Sequence, residues 1–270
     1  MSSDLTRAVI LARGLGTRMR RDAEGTTLSA EQAEAAASGA KAMMPIGRPF
    51  LDHVISELAD AGVSEVCLVI GPEHTAIRDY YDTLPKARVR ISYAVQEEPL
   101  GTANAVAAAE EFVDGHRFVM INGDNFYHGS TIAALAAVPG NALAGYTRRG
   151  LLAKGNVPAA RLSAFAMVHA VDGVLVDIVE KPDAEVIATV GADALTSMNC
   201  FVFTPAIFDA CRAITPSARG EYEIVDAVRR LVAGGEAVRV VTVDDGVLDL
   251  SSRADVGPVQ RALADHEVRL

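Results

Sequence analysis

The sequence predicts an α/β fold with a Rossmann-like, mostly parallel central sheet. Helices are expected on both faces, and a smaller mixed β region is expected to extend the sheet. Short apolar segments alternate with helical patterns along the first half of the chain, as in sheets whose parallel strands are joined by helices. Half of the 270 residues are hydrophobic, which is enough for a large core. The length suits a single domain of residues 1–270, with halves 1–150 and 151–270.

The first half supplies the alternating elements, and its strand candidates are short and mostly rich in Val and Ile. Because ligands collect at the carboxyl ends of parallel strands, polar residues that follow these strands are predicted to meet at one edge of the sheet. The predicted strands are Arg7–Leu11, Glu65–Ile70, Val89–Ala94, Phe118–Ile121 and Ala142–Tyr146, and the predicted helices are Phe50–Asp60, Glu73–Tyr81, Thr102–Phe112 and Ser130–Ala137.

The second half is predicted to extend the sheet and to supply the other wall of a cleft. Two of its strands flank Val171-Asp172-Gly173, which is typical of a hairpin turn. Pro258 is expected at the first position of the last helix, where a missing N–H costs little. The predicted strands are Ala164–Val168, Val174–Val179 and Cys200–Phe203, and the predicted helices are Glu221–Leu231 and Pro258–Asp265.

The segment 22–40 is polar and rich in alanine. Ser29 and Gln32 fit a capping box, and Gly39 is suited to end the helix that follows. We interpret this segment as an exposed surface helix, with a functional lid as the alternative.

Composition excludes several classes of protein. A net charge of −10 argues against a nucleic-acid binder, which is normally basic. Cys67 and Cys200 lie in apolar runs and are expected to be small buried hydrophobes, so neither a disulfide framework nor a zinc site is indicated. No signal-peptide pattern opens the sequence, and no apolar run reaches the roughly 20 residues of a membrane span. We therefore expect a cytoplasmic protein without a membrane partner.

A glycine-containing loop follows the first predicted strand, with the sequence Leu11-Ala12-Arg13-Gly14-Leu15-Gly16-Thr17-Arg18. Its glycines allow backbone N–H groups to approach an anion, and its two arginines can donate charge-assisted hydrogen bonds to phosphate oxygens. The spacing fits neither the dinucleotide fingerprint nor the P-loop. An ordinary strand-to-helix turn is the alternative.

Four further positions carry candidate chemistry. Lys41 precedes a turn rich in proline and glycine and is a candidate anion contact. Asp124 follows a buried strand and is a candidate Mg²⁺ ligand, or else a helix cap. Asp249 is a candidate second carboxylate, although sequence spacing does not place it near Asp124. Glu180-Lys181 closes a strand and could grip a hydroxyl and a phosphate, or form a solvated loop. The sequence contains no pattern for a covalent intermediate.

Taken together, these segments resemble the sugar-1-phosphate nucleotidyltransferases over nearly the whole chain, and the last long motif is most similar to the glucose-1-phosphate thymidylyltransferases. Each motif is modest, but their order is hard to obtain by chance. The motifs are the glycine loop, Lys41-Ala42-Met43-Met44-Pro45-Ile46, Gln96 with Leu100-Gly101-Thr102-Ala103, Gly123-Asp124-Asn125, Glu180-Lys181-Pro182, Pro216 to Asp226, and Leu248-Asp249.

The resemblance implies a direct displacement, in which a sugar-phosphate oxygen attacks the α-phosphorus of a nucleoside triphosphate and pyrophosphate leaves. It implies that residues 1–150 bind the nucleotide and residues 151–270 the sugar phosphate. Mg²⁺ is the implied cofactor, and a homo-oligomer stays an open expectation. The implied catalytic residues are Arg18, Lys41 and Asp124; the nucleotide-binding residues are Leu11, Ala12, Arg13, Gly14, Gly16, Thr17, Gln96, Gly101 and Thr102; the sugar-phosphate-binding residues are Glu180, Lys181, Asn199 and Arg219; and the metal ligands are Asp124 and Asp249.

Three departures from the family pattern leave the substrates open. Arg13-Gly14 stands where the family usually has Gly-Gly, so Arg13 could add a phosphate contact or crowd the loop. About twenty-two residues separate Arg18 from Lys41, roughly twice the usual length. Asn199 replaces a glycine in the sugar-pocket strand. Gln96 with Gly101 favours dTTP or UTP as the nucleotide.

Other functions are also compatible with these motifs. One is a cytidylyl-, guanylyl- or adenylyltransferase that acts on an unusual phosphorylated acceptor. Another is an inactive regulatory paralogue that binds nucleotide sugars, although Arg18, Lys41, Asp124 and Asp249 are all present. A nicotinamide-dependent dehydrogenase is disfavoured because the glycine spacing is wrong.

Overall fold

A nine-stranded sheet forms the centre of the molecule in a computed structural model that describes residues 5–14, 16–21, 25–183 and 194–270. Two short two-stranded sheets accompany it. The strands are β1 (Arg7–Leu11), β2 (Pro45–Ile46), β3 (Arg48–Pro49), β4 (Glu65–Ile70), β5 (Arg90–Val95), β6 (Phe118–Asn122), β7 (Asn125–Phe126), β8 (Asn141–Tyr146), β9 (Ala166–Val171), β10 (Val174–Val179), β11 (Leu195–Phe203), β12 (Val238–Val243) and β13 (Leu248–Asp249).

The strand order in the large sheet is β5-β4-β1-β6-β11-β8-β12-β10-β9. Pairing is parallel from β5 to β6 and between β8 and β12, and the other pairings are antiparallel. The predicted parallel arrangement is therefore observed for β1, β4, β5 and β6, whereas β8 pairs with two strands of the second half. The sheet as a whole is more mixed than the sequence predicts, because β11 from the second half inserts between β6 and β8.

Helices cover both faces of the sheet, and alternate residues of β1 belong to two separate hydrophobic clusters. Ala8 and Ile10 pack in one cluster and Val9 in the other, as the two faces of a strand require. The helices are α1 (Thr17–Arg20), α2 (Ala30–Ser38), α3 (Phe50–Asp60), α4 (Thr75–Thr83), α5 (Thr102–Ala107), α6 (Glu110–Val113), α7 (Gly129–Ala136), α8 (Arg148–Lys154), α9 (Ala206–Ala213), α10 (Ile224–Ala233) and α11 (Arg253–Ala262), and 3₁₀ turns span Lys41–Met43 and Ala159–Ala164.

Several predicted boundaries are wrong. α4 begins at Thr75 and not at Glu73, and α10 begins at Ile224 and not at Glu221. β9 begins at Ala166 and not at Ala164, and β11 begins at Leu195 and not at Cys200.

The segment predicted as Thr102–Phe112 forms two helices, α5 and α6, rather than one. Pro258 lies inside α11 and not at its start, because Ser252 and Asp255 form a capping box that begins the helix earlier. Cys67 and Cys200 are buried, as predicted, and so is Cys211.

The helix predicted in the segment 22–40 is confirmed, with its capping box at Ser29 and its end at Gly39, but it is not simply exposed. Ala36 is fully buried, and the Gln32 amide donates to the Pro45 carbonyl at 2.9 Å and to Gln260 at 3.1 Å. These contacts fix α2 against the body of the protein. The sequence underestimates this packing because alanine gives a weak hydrophobic signal.

The C-terminal segment is held by a buried histidine chain. The Ile46 carbonyl accepts a hydrogen bond from His53 Nε2 at 3.1 Å. The neutral ring then has His53 Nδ1 as the acceptor in the 2.9 Å contact with His266 Nδ1. His266 Nε2 lies 2.8 Å from Glu57. Burial lowers the pKa of His53, and the neighbouring His266 lowers it further. Protonation of His53 would therefore work against this arrangement.

Acidification is expected to destabilise the protein. The pKa of His53 in the folded protein lies below its ordinary value of 6.5, so near that pH the folded chain binds fewer protons than the unfolded chain. The resulting stability is fully present above pH 6.5 and is lost as the pH falls through the pKa of the folded state. The melting temperature should be lower at pH 5.5 than at pH 7.5, and the difference should shrink in His53→Gln. The exposed His169→Gln variant is the matched control. An unchanged difference in His53→Gln would contradict the assignment.

No helix among the described residues is long and apolar enough to cross a membrane.

Candidate active site

A cleft of about 430 Å³ lies at the carboxyl ends of β1 and β6. It contains the loop after β1 and the start of α5. Every residue that the sequence predicts for nucleotide binding and catalysis lines it. These are Leu11, Ala12, Arg13, Gly14, Gly16, Thr17, Arg18, Lys41, Gln96, Gly101, Thr102 and Asp124.

A second cleft of about 230 Å³ adjoins the first. Its lining includes the residues predicted for the sugar phosphate, which are Glu180, Lys181, Asn199 and Arg219, together with Asp249. Arg18, Thr102 and Asp124 line both clefts. The two spaces therefore meet at a boundary that includes the Arg18 cation and the Asp124 carboxylate.

The glycine loop is shaped by two close backbone approaches. Gly16 has φ +61°, and a Cβ there would lie 2.3 Å from the Gly39 carbonyl oxygen, so only glycine fits. Gly39 itself ends α2 in the left-handed conformation, and its carbonyl accepts from the Lys41 N–H at 2.9 Å. The loop that carries Arg18 and the turn that carries Lys41 are thus joined through one glycine pair.

Lys41 and Asp124 form an ion pair, with 2.8 Å between Nζ and Oδ2. The backbone around Asp124 is fixed on both sides, because the Gly123 N–H donates to the Leu11 carbonyl at 2.9 Å and the Leu250 N–H donates to the Asp124 carbonyl at 2.8 Å. The carboxylate is therefore positioned by the ends of β1 and β13.

Antiparallel pairing of β13 with β7 sets Asp249 opposite Asn125, next to Asp124 along the chain. The Asp249 carboxylate accepts from Asn125 at 3.2 Å and from Ser251 at 2.9 Å, and it forms an ion pair with Arg161. Burial raises the pKa of Asp249, and repulsion by the nearby Asp124 carboxylate raises it further. Two carboxylates thus lie near each other at the junction of the clefts.

The two arginines of the glycine loop differ in their surroundings. Within the described ranges, the Arg18 side chain makes no hydrogen bond or ion pair, and the residue is exposed beside both clefts. Arg13 instead donates to the Gln96 carbonyl and pairs with Glu73. Arg18 therefore remains available to an anion, whereas the Arg13 guanidinium is occupied by protein groups.

Asn199 explains how the sugar-side wall departs from the family pattern. It has φ +57° at an irregular position of β11, where pairing with β8 shifts register between Ser197 and Phe201. Asn is among the few non-glycine residues that tolerate this conformation. Asn199 therefore adopts a left-handed backbone and adds a side-chain amide to the lining of the cleft.

The charged groups of the second cleft bind one another. Arg219 pairs with Glu223 and lies 3.8 Å from Glu180. Burial raises the pKa of Glu180, and the nearby Glu223 charge raises it further. Lys181, the next residue after Glu180, has a left-handed backbone with φ +46°.

Sequence reasoning missed several residues that line the clefts or support them. Asn122 and Glu221 line both clefts, His74 lines the first, and Arg161 holds Asp249. Asn122 directly follows the predicted strand Phe118–Ile121 and Glu221 lies in the motif 216–226, so both carried a signal. Arg161 and Ser251 carried none, because neither belongs to a recognisable pattern.

This combination of a strand-end anion loop, an available arginine and two adjacent carboxylates defines a class of enzymes that transfer phosphate-linked groups. The chain belongs to the nucleotidyl transferase family, whose sequence model matches residues 7–261.

Individual relatives agree with this assignment. The chain is 29% identical to the UTP–glucose-1-phosphate uridylyltransferase AglF of Haloferax volcanii over 260 residues, or 96% of each chain. It is 31% identical to a glucose-1-phosphate thymidylyltransferase of Streptomyces antibioticus, over 98% of this chain and 68% of the relative. A crystal structure of UDP-glucose pyrophosphorylase complexed with UDP-glucose has a similar fold, with a TM-score of 0.76 at 19% identity over 97% of this chain and all of that one.

Proposed function

We propose that this protein condenses dTTP or UTP with a sugar-1-phosphate, forming a nucleotide sugar and pyrophosphate. The observation that carries the proposal is the junction of the two clefts, where Arg18 and Asp124 line both spaces. A triphosphate on the glycine loop and a sugar phosphate beside Lys181 would meet there. The similarity to uridylyl- and thymidylyltransferases supports the same reaction.

The chemistry needs positioning and charge neutralisation rather than a covalent intermediate. An oxygen of the sugar phosphate attacks the α-phosphorus, and the bond from that phosphorus to the bridging oxygen breaks as pyrophosphate leaves. Negative charge develops on the phosphate oxygens during this step. Arg18 is exposed beside both clefts and would bind those oxygens. Lys41, which forms an ion pair with Asp124, would add a second positive charge near them.

Mg²⁺ is proposed as the cofactor because its preferred ligands are present. Mg²⁺ takes one or two carboxylates together with substrate phosphates. Among the described residues, no group of three or more His, Cys, Asp or Glu side chains could hold a metal, so Asp124 and Asp249 would share it with phosphate oxygens. The cation would neutralise phosphate charge. It would also relieve the repulsion that raises the pKa of Asp249.

Gln96 supports the choice of a uracil or thymine base over cytosine. Its Nε2 donates to the Gly101 carbonyl at 3.0 Å and to Asn104 Oδ1 at 2.8 Å. A carbonyl only accepts, so these contacts fix which end of the amide is nitrogen. Oε1 is left as an acceptor, which matches the N3–H of uracil and thymine and opposes the N3 lone pair of cytosine.

The sugar side of the proposal rests on hydroxyl and phosphate recognition. Glu180 would accept hydrogen bonds from sugar hydroxyls, and Lys181 and Arg219 would bind the phosphate. We further propose that the reaction takes place in the cytoplasm, where nucleoside triphosphates are available.

The proposal is tested by measuring pyrophosphate release with Mg²⁺. The assay combines each of five nucleoside triphosphates (dTTP, UTP, CTP, ATP and GTP) with a panel of sugar-1-phosphates. Release is expected with dTTP or UTP and only when a sugar-1-phosphate is present; reactions lacking one substrate are the control. Silence across the panel, with nucleotide binding retained in a thermal-shift assay, would overturn the catalytic function and favour a nucleotide-sugar-binding regulator.

A further inference from the structure

The Arg13 side chain cross-links three strand ends on the nucleotide side of the cleft. It follows β1 and reaches Glu73 after β4 and Gln96 after β5. Two parallel contacts of 3.3 Å join its Nε and Nη2 atoms to the two Glu73 oxygens, and Nη1 donates to the Gln96 carbonyl. The side chain is only 7% exposed, although Arg13 lines the cleft.

The fold leaves room for this guanidinium. Gly71 directly follows β4, and a Cβ there would lie 2.4 Å from Arg13 Nε and 2.4 Å from a Glu73 oxygen. A side chain at this position would displace the pair. The Arg13–Glu73 contact is therefore accommodated by a neighbouring glycine.

These contacts, together with others, hold Gln96 in a fixed position. Its N–H donates to the Ile70 carbonyl at 2.9 Å, its carbonyl accepts from Arg13, and its side-chain nitrogen donates to Gly101 and Asn104. None of the residues that the structure describes donates to Oε1. Gln96 is 5% exposed and lines the cleft, so its one unused polar atom is an acceptor held from several sides.

We infer that Arg13 is a positioning residue for base selection and not a phosphate-binding cation. Its charge is balanced by Glu73, and it fixes the backbone that presents Gln96 Oε1 to the base. A rigid acceptor discriminates strongly, because a base without a matching N–H leaves a buried polar group unpaired. The inference deepens the proposed function, since it rests on a nucleotide occupying this cleft.

The test measures dissociation constants by isothermal titration calorimetry, without an acceptor, so that it does not depend on turnover. Wild type should bind UTP more tightly than CTP. Arg13→Met keeps the aliphatic stem and removes every donor. It should weaken UTP binding by about tenfold, the effect of misplacing one recognition group, while CTP binding stays within about twofold. The UTP preference would then largely disappear.

Arg90→Met is the matched control. Arg90 also pairs with a carboxylate across β4 and β5, at 2.6 Å from Glu65, but at the opposite end of the same strands. It should leave the UTP preference unchanged. Glu73→Gln is the second variant, to be used if Arg13→Met does not fold. It leaves the bond to the Gln96 carbonyl in place and should reduce the preference by a smaller factor.

Several results would overturn the inference. Equal weakening of UTP and CTP in Arg13→Met would make Arg13 a phosphate contact. A lower melting temperature with an unchanged preference would make it purely structural. If wild type shows no preference for UTP over CTP, the assignment of Gln96 and Arg13 fails together. Pyrophosphate release with another nucleotide would nevertheless keep the proposed reaction, so the two failures are distinguishable.

Discussion

Replacement of Asp124 by alanine is expected to lower turnover by about 10²–10³-fold, the loss typical of one electrostatic group at a reacting centre. The carboxylate lies at the junction of the two clefts, pairs with Lys41 at 2.8 Å and is the first of the two proposed Mg²⁺ ligands. Its removal leaves Lys41 without its counter-charge. Pyrophosphate release at saturating substrates measures the effect.

Two further variants make this result interpretable. Asp124→Asn keeps the size of the side chain and removes its charge, so a similar loss would assign the effect to charge. Asp209→Ala removes a carboxylate that is 86% exposed on α9 and should leave turnover unchanged. Near-normal turnover in Asp124→Ala would contradict the metal assignment.

Arg18→Met is expected to lower turnover by a comparable factor of about 10²–10³ while leaving the melting temperature nearly unchanged. Turnover should fall without a fall in melting temperature because, among the described residues, the Arg18 side chain has no hydrogen-bond or ion-pair partner to lose. Few cationic side chains near a cleft allow such a clean test of function against stability. Steady-state kinetics and thermal unfolding of the same sample would measure both quantities.

Arg239→Met, an exposed arginine on β12, is the control for the loss of one positive charge. A large drop in melting temperature in Arg18→Met would show that the side chain supports the fold. Unchanged turnover, with dTTP or with UTP and a sugar-1-phosphate, would show that Arg18 has no part in catalysis.

Periodicity and turn signals predicted the scaffold well where apolar runs are buried and bounded by loops. β1, β4, β10 and α3 begin and end where the sequence predicts. Boundaries failed where local signals compete. Pro258 is a good first residue for a helix, but the Ser252–Asp255 capping box begins the helix five residues earlier.

The relative placement of the two carboxylates could not be predicted. β7 and β13 have two residues each, too few for a hydrophobic period, and their pairing joins Asn125 to Asp249 across 124 positions of sequence. Arg161 reaches Asp249 from 88 positions away. Such contacts depend on the whole chain folding and leave no trace in local patterns.

Arg13 shows that a motif does not reveal which protein groups a side chain contacts. A cation in a glycine loop predicts a phosphate contact, but the partners that bind it lie 60 and 83 positions further along the chain. Sequence alone gives the charge of a side chain. The neighbouring strand ends decide what that charge binds.

The contact between Gly16 and Gly39 has a practical consequence for labelling experiments. It is made by backbone atoms, so the separation of the loop from the Lys41 turn does not depend on the outward side chains of α2. Glu31 and Glu34 are exposed on that helix. A fluorophore or spin label attached at either position would report on the motion of α2 while leaving the Gly16–Gly39 contact intact.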